Sequence, residues 1–217
     1  MTLPAGSGGS GGSEGSGWER SRDAFTGAAR WFARTAAQVG DRWGAPGLGE
    51  WDVRALVGHT SRSLLTVEAY LQRPAAAVDV GSAAGYFLAT REVAAGPGVA
   101  QRGREAGAAL GDDPAAAVAR TAERVLALVG ARGGAELLTT VAGGMRLADY
   151  LPTRTFELTV HTADLCAALG VPARVPAAAA LQSLHLVAEL AVADDRAAPL
   201  LLTATGRGAP PAGFSVL

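Results

Sequence analysis

Apolar residues recur every three or four positions in five stretches of the chain, which is the spacing of an amphipathic helix. These stretches cover about 18–39, 51–72, 114–130, 147–169 and 176–193. Asp52 and Asp113 stand where the second and third begin, and a carboxylate there suits the positive end of a helix. Pro114 fits a first helical position, and Gly170 with Pro172 ends the fourth stretch. The pattern predicts a mainly all-α fold built as a helical bundle.

The segments between these helices show weaker patterns. Residues 1–17 are rich in glycine and serine, and we expect a flexible segment ahead of a single domain at 18–217. Between 74 and 111 we predict irregular structure with one helical piece at 86–95. Residues 136–141 suit a strand or an extended linker. Residues 200–205 are predicted to be extended, so the short C-terminal extension can include a strand.

The composition narrows the class of protein. Hydrophobic residues make up 49% of the chain, which suffices for a sizeable core, and the net charge of -1 offers no basic surface for nucleic acid. Apolar runs fall far short of the ~20 residues that a membrane span needs. A single cysteine, Cys166, excludes an internal disulfide. We therefore expect a cytoplasmic protein with no nucleic-acid and no membrane partner.

Four ionisable residues share one face of the fourth predicted helix. Arg154, Glu157, His161 and Asp164 are spaced by three, four and three positions, whereas the flanking residues are apolar. Buried charges are costly unless they are paired or bind a metal. This stripe, which we call the polar stripe, therefore needs compensating partners from elsewhere in the protein.

Glu157 and His161 lie one helical turn apart, so a carboxylate oxygen and an imidazole nitrogen can bind one metal ion. The third ligand must come from another helix, and His59 is the histidine on the predicted inner face of the second helix. Two nitrogens and one carboxylate with an open position are typical of catalytic zinc. Asp164 and Arg154 are the candidate catalytic residues, since they can orient an imidazole or hold an anionic substrate. Without a metal, the same Glu157–His161 spacing also fits an ordinary hydrogen-bonded pair.

Other candidates have simpler interpretations. Cys166 is five positions from His161 and therefore on another face of the helix, so we interpret it as a small buried hydrophobe. His185 is interpreted as a packed or hydrogen-bonded core histidine. Ser61 and Ser63 flank His59 without the glycine pattern of a nucleophile elbow. The pair 143–144 (Gly-Gly) suits either an anion-binding turn or a plain turn.

Two segments resemble a known family. Residues 41–71, which contain Trp51 and His59, and residues 150–172, with the pattern Arg-x-x-Glu-x-x-x-His-x-x-Asp-Leu, resemble the mycothiol-dependent maleylpyruvate isomerase family of the DinB-like superfamily. The resemblance implies a DinB-like four-helix bundle that holds a divalent metal, usually zinc, through His59, Glu157 and His161. It also implies mycothiol, the low-molecular-weight thiol of actinobacteria, at the open metal position.

The resemblance leads to a function hypothesis. A metal-activated thiol would isomerise a small electrophilic substrate or transfer sulfur to it. Arg154, Arg62 and Arg146 are the arginines considered for a substrate carboxylate. A thiol-independent metal hydrolase, cyclase or lyase and a non-catalytic ligand-binding bundle are the alternatives. The partners expected are a small-molecule substrate and the thiol, with a monomer and a homodimer both open. Lysine, asparagine and isoleucine are absent from the chain, which indicates a GC-rich genome and agrees with the actinobacterial host that the resemblance implies.

Overall fold

The computed structural model describes residues 11–94 and 98–217, and most of them are helical. The helices are α1 (Gly11–Ala36), α2 (Val53–Leu71), α3 (Ala83–Ala94), α4 (Val99–Ala108), α5 (Pro114–Gly130), α6 (Leu147–Leu169), α7 (Ala177–Ala193) and α8 (Ala197–Ala204). A single 3-10 turn spans Arg42–Gly44, and strands β1 (Leu137–Thr140) and β2 (Gly143–Arg146) form one hairpin. The prediction of a mainly all-α fold is confirmed.

Helices α1, α2, α5 and α6 surround the main core. Helix α6 contacts both α1 and α2, and α5 contacts the same two helices from the other side, which closes a four-helix ring. Helix α7 covers α1 and α6, whereas α3 packs on α6 and α4 on α2. The core side chains between the four helices are fully buried. They include Phe25, Phe32, Leu56, Leu64, Val118, Val125, Leu158 and Leu165.

The helix ends follow from local chemistry. Asp52 caps α2, because its carboxylate accepts a hydrogen bond from the backbone N–H of Ala55 at 2.7 Å. Asp113 caps α5 in the same way, and Pro114 occupies the first turn. Gly170 ends α6 with a φ of 66°, a left-handed conformation that glycine adopts without strain. These local signals were sufficient to predict one end of each of the three helices.

The β-hairpin closes one side of the bundle. Its strands pair antiparallel, with Leu138 opposite Met145, and both of these side chains are buried in the core. Of the two alternatives predicted for 136–141, a strand or an extended linker, the structure has the strand, β1. Its partner β2 had no signal in the pattern of apolar residues, because residues 143–146 are two glycines followed by Met and Arg.

Helix α4 crosses α2 at backbone contact distance. A Cβ atom on Gly58 would lie 2.1 Å from the backbone nitrogen of Gly107, so the crossing requires glycine at Gly58. The guanidinium Nε of Arg54 donates a hydrogen bond to the carbonyl of Gly107 at 2.9 Å and adds a polar link. The α2–α4 crossing therefore lies one residue from His59.

Two sequence predictions differ from the structure. The helical piece predicted at 86–95 corresponds to α3, but the irregular structure predicted after it is wrong where α4 lies; Ala95 lies outside the described residues. The extended segment predicted at 200–205 was wrong, because α8 covers most of it and the run of apolar residues forms two helical turns. The flexible segment at 1–17 stays a prediction: residues 1–10 lie outside the described part, and α1 begins at Gly11.

Within the described residues, no helix combines the length and the apolar character that crossing a membrane requires. Helix α6 has 23 residues, but it carries the charged polar stripe along its length.

Pro152 lies inside α6, which starts at Leu147 and continues through the proline, so the helix does not begin there.

Candidate metal centre

His59 on α2 and the polar stripe on α6 meet where these two helices contact each other. His59, Glu157 and His161 each offer a ligand atom, and these atoms all lie within 4.8 Å of one another. The rings of His59 and His161 meet edge to face, with their centroids 4.8 Å apart. The structure thus brings together the three predicted ligands, and their role as ligands stays a prediction.

His161 lies between two carboxylates. Its Nε2 is 3.2 Å from Oε2 of Glu157, and its Nδ1 donates a hydrogen bond to Oδ2 of Asp164 at 3.1 Å. Burial lowers the pKa of His161, but the hydrogen bonds with Asp164 and Glu157 outweigh it and raise the pKa to about 9. Asp164 therefore orients the imidazole and leaves Nε2 facing Glu157.

His59 has the opposite environment. Burial and the neighbouring charge of His161 lower the pKa of His59 to about 4, so its imidazole is neutral at physiological pH. Its Nδ1 is buried and has no hydrogen-bond partner among the described residues. A neutral imidazole keeps a lone pair on one of its two ring nitrogens, and it can donate this lone pair to a cation.

Glu157 is held as a carboxylate. Burial raises its pKa, but the hydrogen bond from His161 and the charge of Arg154 outweigh that effect, and the pKa is lowered overall. The side chains of His161 and Glu157 remain 17% and 21% exposed, so a small ligand can reach the cluster. The cluster therefore combines an anionic oxygen with two imidazoles at an accessible position.

Arg154, the first residue of the polar stripe, lies beside two tyrosine rings. Its guanidinium carbon lies 5.3 Å from the ring centroid of Tyr86 and 5.1 Å from that of Tyr150, which are cation–π distances. Its Nε donates a hydrogen bond to the hydroxyl of Thr153 at 2.9 Å. Arg154 makes no ion pair within 4.0 Å among the described residues. A buried guanidinium without a carboxylate partner is suited to an anionic ligand.

The other two arginines differ in position. Arg146 is exposed and lies 3.5 Å from Asp149, so it is already paired at the surface. Arg62 is partly buried, and its charge contributes to lowering the pKa of His59, which places it near the cluster. Of the three arginines, Arg154 is thus the one that is buried beside the cluster and has no carboxylate partner among the described residues.

Two of the simpler interpretations are now decided by burial. His185 was interpreted as a core histidine and this was wrong: its side chain is 76% exposed and lies 3.9 Å from Glu189 on the same helix. Helix α7 is apolar on both faces, so its sequence did not reveal which face is covered. Cys166 is buried as predicted, and burial raises the pKa of its thiol.

The remaining candidates take structural roles. The backbone N–H of Gly144 donates a hydrogen bond to the carboxylate of Asp79 at 2.6 Å. This amide therefore already has an acceptor within the protein. The Ser61 hydroxyl donates to the carbonyl of Val57 on its own helix. Neither arrangement leaves a group free for anion binding or nucleophilic chemistry.

Sequence reasoning missed the aromatic residues around the cluster. Trp51 was named only as part of a segment that resembles the family, with no role beside His59, yet its ring centroid lies 4.5 Å from that of His59. Tyr86 comes from α3, the helical piece predicted at 86–95, and no spacing along the sequence links it to Arg154. Tyr150 stands four positions before Arg154 on α6, and this helical spacing was the signal that could have identified it.

The sequence of this chain matches a known protein family. A family model described as the mycothiol maleylpyruvate isomerase N-terminal domain matches residues 22–166. The chain belongs to this family. The part matched to the mycothiol maleylpyruvate isomerase N-terminal domain contains His59 and the whole polar stripe, whereas α7 and α8 lie beyond it. Searches among curated proteins and among solved structures found no match.

Proposed function

We propose that this protein is a divalent-metal enzyme in which His59, Glu157 and His161 hold the metal and a low-molecular-weight thiol is the nucleophile. The observation that carries the proposal is the convergence of the three ligand atoms within 4.8 Å of one another, from two separate helices. Membership of a family described by mycothiol and maleylpyruvate isomerase supports mycothiol as the thiol.

The residues present fit a divalent cation. Two imidazoles and one carboxylate form a donor set that zinc binds at catalytic centres. The neutral state of His59 and the carboxylate form of Glu157 match what a cation requires. The contacts with Glu157 and Asp164 stabilise the protonated form of His161. A metal-binding imidazole must be neutral, so metal binding should release this proton.

The polar residues around the ligands have separate tasks. A divalent cation at this position would supply a Lewis acid that lowers the pKa of a thiol. Asp164 keeps the His161 ring in one orientation, and Arg154 holds an anionic group of the substrate between Tyr86 and Tyr150. These tasks suit isomerisation of, or S-transfer to, a small electrophilic substrate that carries a negative charge.

The proposal is tested on protein purified without a histidine tag. Metal analysis should find about one equivalent of a divalent transition metal, with zinc expected, in line with the one-ion donor set. Mycothiol added to the cobalt-substituted protein should change its visible spectrum, because a sulfur ligand alters the d–d and charge-transfer bands.

Each part of the proposal fails on a different result. Protein that binds no added zinc or cobalt would refute the metal centre. A cobalt spectrum unchanged by mycothiol would refute thiol activation and favour a thiol-independent hydrolase, cyclase or lyase. A perturbed spectrum without turnover of maleylpyruvate would retain the centre and direct the search to other anionic electrophiles.

Replacing Asp164 by alanine is expected to weaken zinc binding by about 10- to 100-fold, because the hydrogen bond that orients His161 is lost. The measurement is a zinc titration against a competing chelator. Asp149→Ala is the matched control, since Asp149 lies on the same helix and pairs with Arg146 at the surface. Equal zinc affinity in the two variants would show that Asp164 does not support the site.

A further inference from the structure

His59 lacks the orienting hydrogen bond that a metal-binding histidine usually has. Such a histidine normally donates its second ring N–H to a carboxylate, a carbonyl or water, and His161 does so with Asp164. The buried Nδ1 of His59 has no such partner in the described part of the chain. Among the described residues, the contacts that fix this ring are therefore made by neighbouring rings and not by a hydrogen bond to Nδ1.

Trp51 supplies a flat surface against the His59 ring. The two ring centroids are 4.5 Å apart and the planes are inclined by 33°. The edge contact with His161, at 4.8 Å, lies within the same group of rings. The His59 ring is therefore held through aromatic contacts with Trp51 and His161, at distances typical of aromatic pairs.

Helix α4 fixes Trp51 in turn. The indole N–H donates a hydrogen bond to the carbonyl of Ala100 at 3.0 Å. Gly103 leaves space for the indole, since a Cβ there would lie 2.6 Å from its Nε1 and Cε2 atoms. Helix α4 is itself held against α2 by the close crossing of Gly58 and Gly107. A chain of contacts thus runs from α4 through Trp51 to His59.

We propose that Trp51, held by α4, is a positioning residue that orients the His59 ring by stacking in place of a hydrogen bond. The orientation of the ring is a property of the protein without metal. Its consequence for metal affinity rests on the proposed function. Trp51 touches no reacting atom in this role and acts through His59.

Trp18 provides a matched control within the same chain. Its indole N–H donates to the carbonyl of Arg132 at 3.1 Å, and its ring fills the place of a Cβ on Gly134, at 2.7 Å. It therefore has the same two structural contacts as Trp51. In the described residues its ring has no aromatic neighbour at contact distance, so it lacks the feature that the proposal depends on.

The test compares Trp51→Leu with Trp18→Leu. Nuclear magnetic resonance of the metal-free protein reports on the histidine rings, and the chain has only three histidines to assign. In Trp51→Leu the ring protons of His59 should lose the shift caused by the indole ring current, and the nuclear Overhauser effect between His59 and His161 should weaken. Both signals should be unchanged in Trp18→Leu.

The second readout is zinc affinity by chelator competition. Trp51→Leu should bind zinc about 10- to 100-fold more weakly, the usual effect of losing an orienting neighbour, and Trp18→Leu should match the wild type. Trp51→Phe keeps an aromatic face and should recover most of the affinity. If Trp51→Leu does not fold, Gly103→Ala displaces the indole from the α4 side and should give the same two changes.

The outcomes separate this proposal from the proposed function. An unchanged His59–His161 nuclear Overhauser effect in folded Trp51→Leu, or an equal loss of zinc affinity in Trp18→Leu, would overturn the role of Trp51. A wild-type protein that binds no zinc would refute the proposed function, and the metal-free resonance data would still decide whether Trp51 orients His59.

Discussion

Replacing His161 by alanine is expected to weaken zinc binding by more than about a hundredfold, because loss of a ligand costs more than the 10- to 100-fold effect of losing an orienting neighbour. His161 lies 3.2 Å from Glu157 and 3.1 Å from Asp164, so its removal also leaves two carboxylates without their shared partner. The measurement is zinc or cobalt titration of untagged protein against a chelator.

His185→Ala is the matched control for this experiment. His185 also faces a glutamate four positions away on its helix, but the pair is exposed and separated by 3.9 Å. Its zinc affinity should equal that of the wild type. If His161→Ala proves too unstable to titrate, Glu157→Gln removes an anionic ligand at nearly constant size and should give a similar loss. Tight zinc binding by either folded variant would contradict the assignment.

Replacing Gly58 by alanine is expected to lower the free energy of unfolding by about 3 kcal/mol, at the upper end of overpacking effects. The added methyl would lie 2.1 Å from the backbone nitrogen of Gly107, and backbone atoms cannot rotate away as a flexible side chain would. Helices α2 and α4 must therefore separate. Chemical denaturation followed by circular dichroism gives the change in the free energy of unfolding.

Gly130→Ala is the control for the helical propensity of alanine. Gly130 is also helical, but a Cβ there meets no atom within 4 Å. Since alanine favours a helix over glycine, this change should be neutral or should raise the free energy of unfolding by up to about 1 kcal/mol. A Gly58→Ala variant as stable as Gly130→Ala would show that the α2–α4 crossing is not as close as described.

The helices of the bundle were largely predictable because their signals are local. Apolar spacing located α1, α2, α5, α6 and α7, and the caps at Asp52, Asp113 and Gly170 marked three of their ends. Helix α3 was predicted as the helical piece at 86–95, whereas α4 was missed and α8 was predicted to be extended. Their sequences are rich in alanine and glycine, or apolar throughout, so the contrast between buried and exposed faces is weak.

The candidate site was predictable only in part. Helical geometry places Arg154, Glu157, His161 and Asp164 on one face, since positions three and four apart on a helix are neighbours. The same reasoning failed for His185, because α7 is apolar around most of its surface and exposes Leu181 and Leu184. Periodicity identifies a face, but it does not show what covers that face.

The sequence by itself determined that α6 carries a polar stripe with a Glu157–His161 pair, because both residues belong to one helix. The sequence had named His59 as the third candidate ligand, but only the tertiary structure decided that it lies beside Glu157 and His161, that Trp51 lies against its ring and that Tyr86 flanks Arg154. These residues come from α2, the segment before it and α3. Their meeting depends on how the helices pack, including the glycine crossing of α2 and α4, and no local spacing along the chain contains that information.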